Sequence, residues 1–404
     1  MKEIIKIARQ TFWQILGKAI TSISTFIILA VVARNYKEEG TGIFTLALTY
    51  LTMFNLLVDF GFNAHILKKL KDQDLQQGKE WNKLLGTRLI WSAVLMIFAI
   101  SLLPLWPFTT EDFLKAVMIG SLALAGFAIY ITCNLVFQKK LRYDLSVLSS
   151  SIGTLAGLSL YVYLTFQNYP IFLLLIGYSI SWIVMALISL ALMKNFLSQL
   201  VPIFSYQYTK NLFKQSWPIA FTLALNVIYF RADSFMIAYF KGVSDAGVYN
   251  IAYSVFQSVL VLPTFIMNSY YPLMLKTLKA VKFVGLALLG LAALATLFVI
   301  FLSPEITRLL TGSGFSGSSQ SLQILSLGFP AYFLSSLLMW MMVTKGQYMT
   351  MLLIYTLGLI FNLILNFIFI PQHSFLAAST ISVISEYLIL LMQVMVIFLA
   401  TLKK

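Results

Sequence analysis

The chain has 404 residues, 60% of them apolar and only 10% charged, with a formal net charge of +14. Ordinary soluble domains carry about 25% charged residues, and a soluble protein of this length cannot cover its surface with so few. The single cysteine, Cys133, excludes a disulfide framework and a cysteine-based metal site.

A bilayer crossing needs about 20 apolar residues. Twelve stretches of that length follow one another: 12–33, 41–66, 84–103, 113–137, 145–166, 170–193, 216–240, 247–275, 283–303, 320–343, 348–370 and 375–400. All exceed the roughly 9–11 residues of a barrel strand, so the expected class is an all-α polytopic membrane protein of about 12 helices. The first stretch follows Lys2, Lys6 and Arg9 without a small-residue cleavage site, and reads as a retained helix.

Lysine and arginine set the expected orientation. The amino terminus and alternate loops hold 20 of the 28 basic residues, including Lys68, Lys69, Lys71, Lys79 and Lys83 in one loop and Lys403 and Lys404 at the end. The opposite loops hold Arg34, Lys37, Lys115, Lys241 and Arg308. Both termini are therefore expected in the cytoplasm. The positive charge is spread over seven segments, which argues against a nucleic-acid partner and for contact with anionic membrane lipids.

The two halves of the chain resemble each other. Gly42-Ile-Phe-Thr-Leu-Ala47 returns as Gly247-Val-Tyr-Asn-Ile-Ala252, an offset of 205 residues. A short polar loop is expected before each glycine, Lys37-Glu-Glu-Gly-Thr and Lys241-Gly-Val-Ser-Asp-Ala. Six helices per half insert the same way round, giving parallel repeats around a central cavity. The expected organisation is an amino-terminal half (1–195), a linker (196–215) and a carboxy-terminal half (216–404). Apolar residues interspersed with lysines make the linker a candidate interfacial segment. The stretch Glu305 to Gln320 reads as a short helix and a loop.

An ionisable group inside a spanning helix costs at least about 2.5 kcal/mol on insertion scales, so each needs a reason. Six qualify: Lys18, Asp59, Arg88, Arg231, Asp233 and Glu386. At 1.5 Å per residue, Lys18 and Asp59 lie roughly 9 Å deep on adjacent helices. A Lys18–Asp59 pair is the structural expectation, with Arg88 either surplus or snorkelling to the headgroups. Gln14, Lys18, Thr21 and Thr25 share one helical face, and Thr222, Asn226, Tyr229 and Asp233 repeat that spacing. Such stripes suit a wetted cavity or polar contacts between packed helices. Arg231 and Asp233 lie about 200° apart on their helix, so one of them is expected to pair with a neighbour. Pro263 and Pro330 interrupt their stretches and permit kinks.

A longer pattern now stands out. Trp217-Pro218, Arg231-Ala-Asp233-Ser-Phe-Met-Ile, Gly242, Ala246-Gly247-Val-Tyr249, Ala252, Leu262-Pro263 and Tyr271-Pro272 follow in order. Near the amino terminus stand Gly42-Ile-Phe44 and Leu57-Val-Asp59-Phe-Gly61-Phe. Over essentially the whole chain this resembles the polysaccharide-transport, Wzx-type flippases of the multidrug/oligosaccharidyl-lipid/polysaccharide exporter superfamily. The resemblance implies a non-enzymatic carrier of an undecaprenyl-diphosphate-linked oligosaccharide, working by alternating access in the bacterial cytoplasmic (inner) membrane for O-antigen or capsule synthesis. It implies that Lys18, Arg88 and Arg231 meet the diphosphate or acidic sugars, and that Asn226 and Tyr229 meet sugar hydroxyls. Asp59, Asp233 and Glu386 are the candidates for a coupling H+ or Na+. No cofactor is expected, and a polysaccharide polymerase and a chain-length regulator are candidate partners.

Two other classes compete. A membrane glycosyltransferase or polymerase needs paired acidic residues in a sizeable loop, and Glu38, Glu39, Glu111, Asp112, Asp245 and Glu305 show no such arrangement. A drug antiporter of the same superfamily favours an acidic cavity, yet the six intramembrane charges are balanced. No GxxxxGK[ST] loop for nucleotide is present.

Overall fold

The computed structural model describes residues 2–69, 78–194, 196, 201–275 and 277–402. Lys71, Lys276, Lys403, Lys404 and linker residues 197–200 lie outside the described residues, as do the side chains of Lys2, Lys6, Arg9, Lys68, Lys69 and Asn226.

Apolar runs in a bilayer must satisfy their own backbone groups, and helices do so. The helices are α1 (Lys2–Asp59), α2 (Phe62–Lys69), α3 (Gly78–Ser101), α4 (Glu111–Ser121), α5 (Ala123–Lys139), α6 (Tyr143–Phe166) and α7 (Leu175–Met193). They continue as α8 (Tyr206–Lys241), α9 (Val243–Val259), α10 (Val261–Met274), α11 (Val281–Thr311), α12 (Ser318–Ser326), α13 (Phe329–Thr344) and α14 (Tyr348–Leu402). No strand occurs among the described residues.

Eight helical segments are long and apolar enough to cross a membrane, and two bent pairs raise the number to ten. The segments Phe12–Asp59 and Tyr348–Leu399, 48 and 52 residues long, each exceed twice the length of one crossing. Each is broken at a single residue of positive φ, Lys37 (φ 56°, ψ −162°) and Ser374 (φ 49°, ψ −135°). Counting each broken helix as two gives the twelve expected crossings among the described residues.

The joints differ from the expected loops. Helix continues on both sides of Lys37, so Lys37-Glu-Glu-Gly-Thr is a one-residue break. Between α8 and α9 only Gly242 (φ 94°, ψ 172°) leaves the helix. Lys37 and Gly242 are 205 residues apart, so the backbone breaks at the same point of each repeat. The stretch after Glu305 also differs: α11 runs through Pro304 to Thr311, and the loop begins at Gly312. Of the two proline kinks, one lies at Leu260, three residues before Pro263, and the other is a 44° bend between α12 and α13, with Pro330 at the start of α13.

Contacts group the chain into two compact units. The first holds the chain up to Tyr36 and Ile43–Val227; the second holds Lys37–Gly42 and Ile228–Lys404. The contacts divide the chain inside α8, between Val227 and Ile228.

In the first unit, Phe62, Trp81, Phe137, Met193 and Leu212 form a buried cluster with Phe60, Phe196 and Phe213 packed against it. Phe213 meets Phe60, Phe62 and Trp91 with ring centroids 4.7, 5.1 and 5.0 Å away. The described start of the linker is tied to α3, while Val201, Ile203 and Phe204 keep exposed apolar side chains. Asn82 accepts from Ile203 N through its carbonyl (2.9 Å) and from Val201 N through Oδ1 (3.1 Å). A Cβ at Gly86 would overlap the Ile203 carbonyl, so glycine is what lets the linker lie against α3.

In the second unit, the repeat glycines touch each other. A Cβ at Gly42 would overlap the Val243 carbonyl, and a Cβ at Gly247 would overlap the Glu38 carbonyl. Val243 is Glu38 advanced by 205 residues, so the contact is reciprocal, as two copies of one motif make it. Close approach of small residues is how helices pack in lipid, where no hydrophobic force drives them together. Glu38 Oε1 also accepts from Phe315 N at 2.8 Å, and Ser374 Oγ donates to Asp245.

Candidate functional site

In the first unit, Arg88 is fully buried and Asp59 is 17% exposed, with Arg88 Nη2 2.8 Å from Asp59 Oδ1. This corrects both sequence expectations: Asp59 pairs with Arg88 and not with Lys18, and Arg88 does not snorkel. Arg88 Nη2 also donates to Asn63 Oδ1 (2.7 Å) and Nη1 to Thr132 Oγ1 (3.1 Å). The Phe62 ring lies 5.9 Å from its guanidinium carbon. The group ties α1, α2, α3 and α5 together through one neutral pair, and only Arg88 Nε is left without a partner. Breaking such a pair strands a buried charge.

Lys18 is exposed on α1 with Gln14, Thr21 and Thr25, as one face. Thr21 and Thr25 donate to the carbonyls of Gly17 and Thr21, which satisfies their hydroxyls within the helix. Among the described residues no carboxylate lies within ion-pair distance of Lys18.

The second unit gathers the other candidates. Asp233 on α8 is 3% exposed. Its Oδ1 accepts from Asn366 Nδ2 (2.7 Å), and its Oδ2 accepts from Ser382 Oγ (2.6 Å) and Tyr249 Oη (3.1 Å). Helices α9 and α14 thus aim three neutral donors at one carboxylate. Asn366 Nδ2 also donates to Asn362 Oδ1 at 2.9 Å. Asn366 Oδ1 is buried without a partner. A buried carboxylate with no cation beside it needs a proton or a cation, and an idle acceptor on the same amide suits a cation.

Glu386 on α14 is also 3% exposed and accepts from Tyr229 Oη at 2.9 Å. Tyr229 is one turn before Asp233 on α8, and Glu386 is one turn after Ser382 on α14. Arg231, half-buried, turns to α9: its Nη2 donates to Gln257 Oε1 (3.1 Å), and its guanidinium carbon lies 5.7 Å from the Tyr253 ring. Tyr253 stacks on Tyr249 at 5.4 Å and 26°. Tyr249, Tyr253 and Gln257 form an i, i+4, i+8 stripe that meets both Arg231 and Asp233. Both residues of the Arg231/Asp233 pair therefore engage neighbouring helices, where one was expected to. The side chain of Asn226 lies outside the described residues. The sequence names Tyr249 only within the motif Gly247-Val-Tyr249, and Tyr253 and Gln257 carry no mark of this role there.

The described residues hold no group of three or more His, Cys, Asp or Glu that suits a metal ion. Among the described residues, the second unit offers one half-buried guanidinium, Arg231, without a carboxylate partner, and two buried carboxylates, Asp233 and Glu386, without a basic one.

No curated protein matches the chain in sequence. Among solved structures it is similar in fold to the lipid II flippase MurJ in an inward closed conformation, with a TM-score of 0.79 at 14% identity, covering 96% of this chain and 87% of that one. It is similar to an inward-facing multidrug resistance MATE family transporter of the MOP superfamily, with a TM-score of 0.73 at 12% identity and 92% of each chain covered. A MOP superfamily transporter from Pyrococcus furiosus, described as having a binding pocket of reverse polarity, matches with a TM-score of 0.57 at 13% identity over 99% and 96%. These likenesses give the fold of a multi-pass transporter. The description of the polysaccharide biosynthesis protein family matches residues 7–278. On that match, over more than half its length, the chain belongs to the polysaccharide biosynthesis protein family.

Proposed function

We propose that the protein is a flippase that moves an undecaprenyl-diphosphate-linked oligosaccharide across the bacterial cytoplasmic membrane by alternating access, for O-antigen or capsule synthesis. The observation that carries this reading is Arg231. It is an intramembrane guanidinium, held by Gln257 and Tyr253, with no carboxylate neutralising it among the described residues. A planar, permanently charged fork of this kind suits a diphosphate. The exposed Lys18 of the first unit is a separate candidate cation for an anionic headgroup. The carboxylate of Asp233 takes the coupling cation. Both termini lie in the cytoplasm, where the basic loops meet anionic lipid, and a polymerase receives the product on the far side.

The test is translocation of fluorescent undecaprenyl-diphosphate oligosaccharide in proteoliposomes. Arg231→Ala is expected to slow it about tenfold or more, the factor given by 1.4 kcal/mol of lost anion binding. Arg231→Lys recovers part of the rate. Wild-type rate in the alanine variant removes Arg231 from the mechanism. The buried carboxylates favour one second reading, export of a cationic small molecule; movement of a cationic dye in place of the lipid in the same vesicles supports it.

A further inference from the structure

The first unit holds a second polar group, and it carries no charge. Trp182 stands at the centre of the 23-residue span Ile171–Met193. Tryptophan and tyrosine gather at membrane interfaces, so an indole at mid-span with two tyrosines beside it is out of place against lipid. Tyr178 is one turn before it on α7, with ring centroids 6.4 Å apart, and Tyr130 on α5 lies 5.7 Å away. All three are half-buried. Phe127 adds a third neighbouring ring at 4.9 Å. The three neighbours stand at 61–89° to the indole, so none of them lies flat on it. Glycines fix α7 in this rotation: a Cβ at Gly126 on α5 would overlap the Trp182 backbone, and one at Gly157 on α6 would overlap the Gly177 carbonyl.

Every hydrogen around Tyr178 is committed. Asn55 on α1 is buried, and its Nδ2 donates to Tyr178 Oη at 2.7 Å. Trp182 also hydrogen-bonds Tyr178, and an indole can only donate. Tyr178 passes its own hydrogen to Thr52, whose hydroxyl donates in turn to the Leu48 carbonyl at 2.7 Å. One atom is left over: Asn55 Oδ1 is buried without a partner. The carboxylate one turn further along α1, Asp59, is cancelled by Arg88. The group therefore lacks the cation that a phosphate needs and the several oxygen lone pairs that a metal ion needs. It suits a neutral ligand that donates one hydrogen and lays an apolar face on an aromatic ring.

We propose that Asn55, Tyr178 and Trp182 form a sugar site in the first unit, taking one uncharged pyranose ring. A ring hydroxyl donates to Asn55 Oδ1, and the C–H face of the sugar lies on the indole, whose π face is negative. One sugar residue meets both demands, since its hydroxyls donate and its ring carbons are apolar. A few placed polar groups beside aromatic walls are how such ligands are oriented. Against lipid the same idle amide oxygen would cost free energy with no return. The site deepens the reading of an oligosaccharide carrier, and rests on it for why a sugar reaches this depth.

The experiment uses the purified full-length protein in lipid nanodiscs and three neutral probes, maltotriose, chitotriose and galactotriose. Saturation-transfer NMR reads which sugar protons touch the protein. At least one probe is expected to show its ring C–H protons in contact and to titrate to a Kd. Trp182→Leu is expected to weaken that Kd about tenfold, the factor of 1.4 kcal/mol. Asn55→Leu is expected to weaken it about fivefold, the size of one neutral hydrogen bond. Trp182→Phe restores an aromatic face and recovers part of the affinity, which separates lost stacking from a misfolded protein. No contact from any probe, or wild-type Kd in both leucine variants, overturns the proposal. Translocation of the fluorescent oligosaccharide lipid is measured on the same proteins. Sugar binding as expected with no lipid translocation leaves the sugar site standing, and the flippase reading falls. Lipid translocation with no sugar binding leaves the flippase reading standing, and the sugar site falls.

Discussion

Asp59 in the first unit and Asp233 in the second are both carboxylates that the chain holds inside a spanning helix. Asp59 meets a guanidinium at 2.8 Å and the charge is cancelled. Asp233 meets a tyrosine, a serine and an asparagine, which solvate a charge without cancelling it. The first arrangement locks helices and is complete as it stands. The second leaves a charge without a basic partner among the described residues, which is what the proposed cation site rests on. Arg231 is the mirror case: two residues from Asp233, it is held by Gln257 and Tyr253 with no carboxylate partner among the described residues, and the proposed anion site rests on that.

This contrast is open to attack from the strong side first. Arg88→Ala should destabilise the detergent-solubilised protein by about 3–5 kcal/mol, because Asp59 is then buried alone. The double variant Asp59→Leu with Arg88→Met should recover most of that loss in the same denaturation assay. Equal damage from the double variant would give the pair a role beyond locking. Next comes the repeat contact. Gly42→Ala or Gly247→Ala should each cost about 1–3 kcal/mol by overpacking. Combined, they should cost less than the sum, because both act on one crossing; strict additivity in melting measurements would place the two glycines in separate contacts. Asp233→Asn should lower cation-driven transport to below about a tenth of wild type, the equivalent of 1.4 kcal/mol. Asp59→Asn, in contrast, should retain cation-driven transport in the molecules that fold. The smallest effect is expected of Tyr249→Phe, which removes one of three donors to Asp233 and should weaken cation stabilisation of the protein by about 1 kcal/mol. Thermal shifts with and without the coupling cation read this directly.

Much of the fold was legible because lipid imposes a simple rule on sequence. Apolar runs of 20–29 residues match the twelve segments counted once the two broken helices are split and the two bent pairs joined. What the runs could not reveal was how few residues join them. Lys37 and Ser374 turn the chain at one residue each, and neither is a glycine or proline. The polar gaps 34–40 and 371–374 mark the breaks but not that a single residue makes each turn, and the offset of 205 ties Lys37 to Gly242. The six intramembrane charges were also legible, since each is rare in its setting. Their partners were not. Lys18 and Asp59 have matching depths, yet Arg88 reaches Asp59 because α3 packs against α1 there with Asn63 and Thr132 beside it. Depth along a helix follows from sequence; rotation about it depends on packing. The same gap hid the stripe Tyr249, Tyr253 and Gln257, which reads as ordinary helix interior until α8 is seen against it.

The central claim is that the uncancelled charges of the second unit serve an anionic lipid and a counter-moving cation. The most direct measurement is translocation in proteoliposomes of two fluorescent oligosaccharide lipids, one carrying the diphosphate and one with a neutral linkage, under an imposed cation gradient. The account predicts that the diphosphate lipid moves, that the neutral one does not, and that Arg231→Ala abolishes the difference. Equal movement of both lipids by the wild-type protein would contradict it.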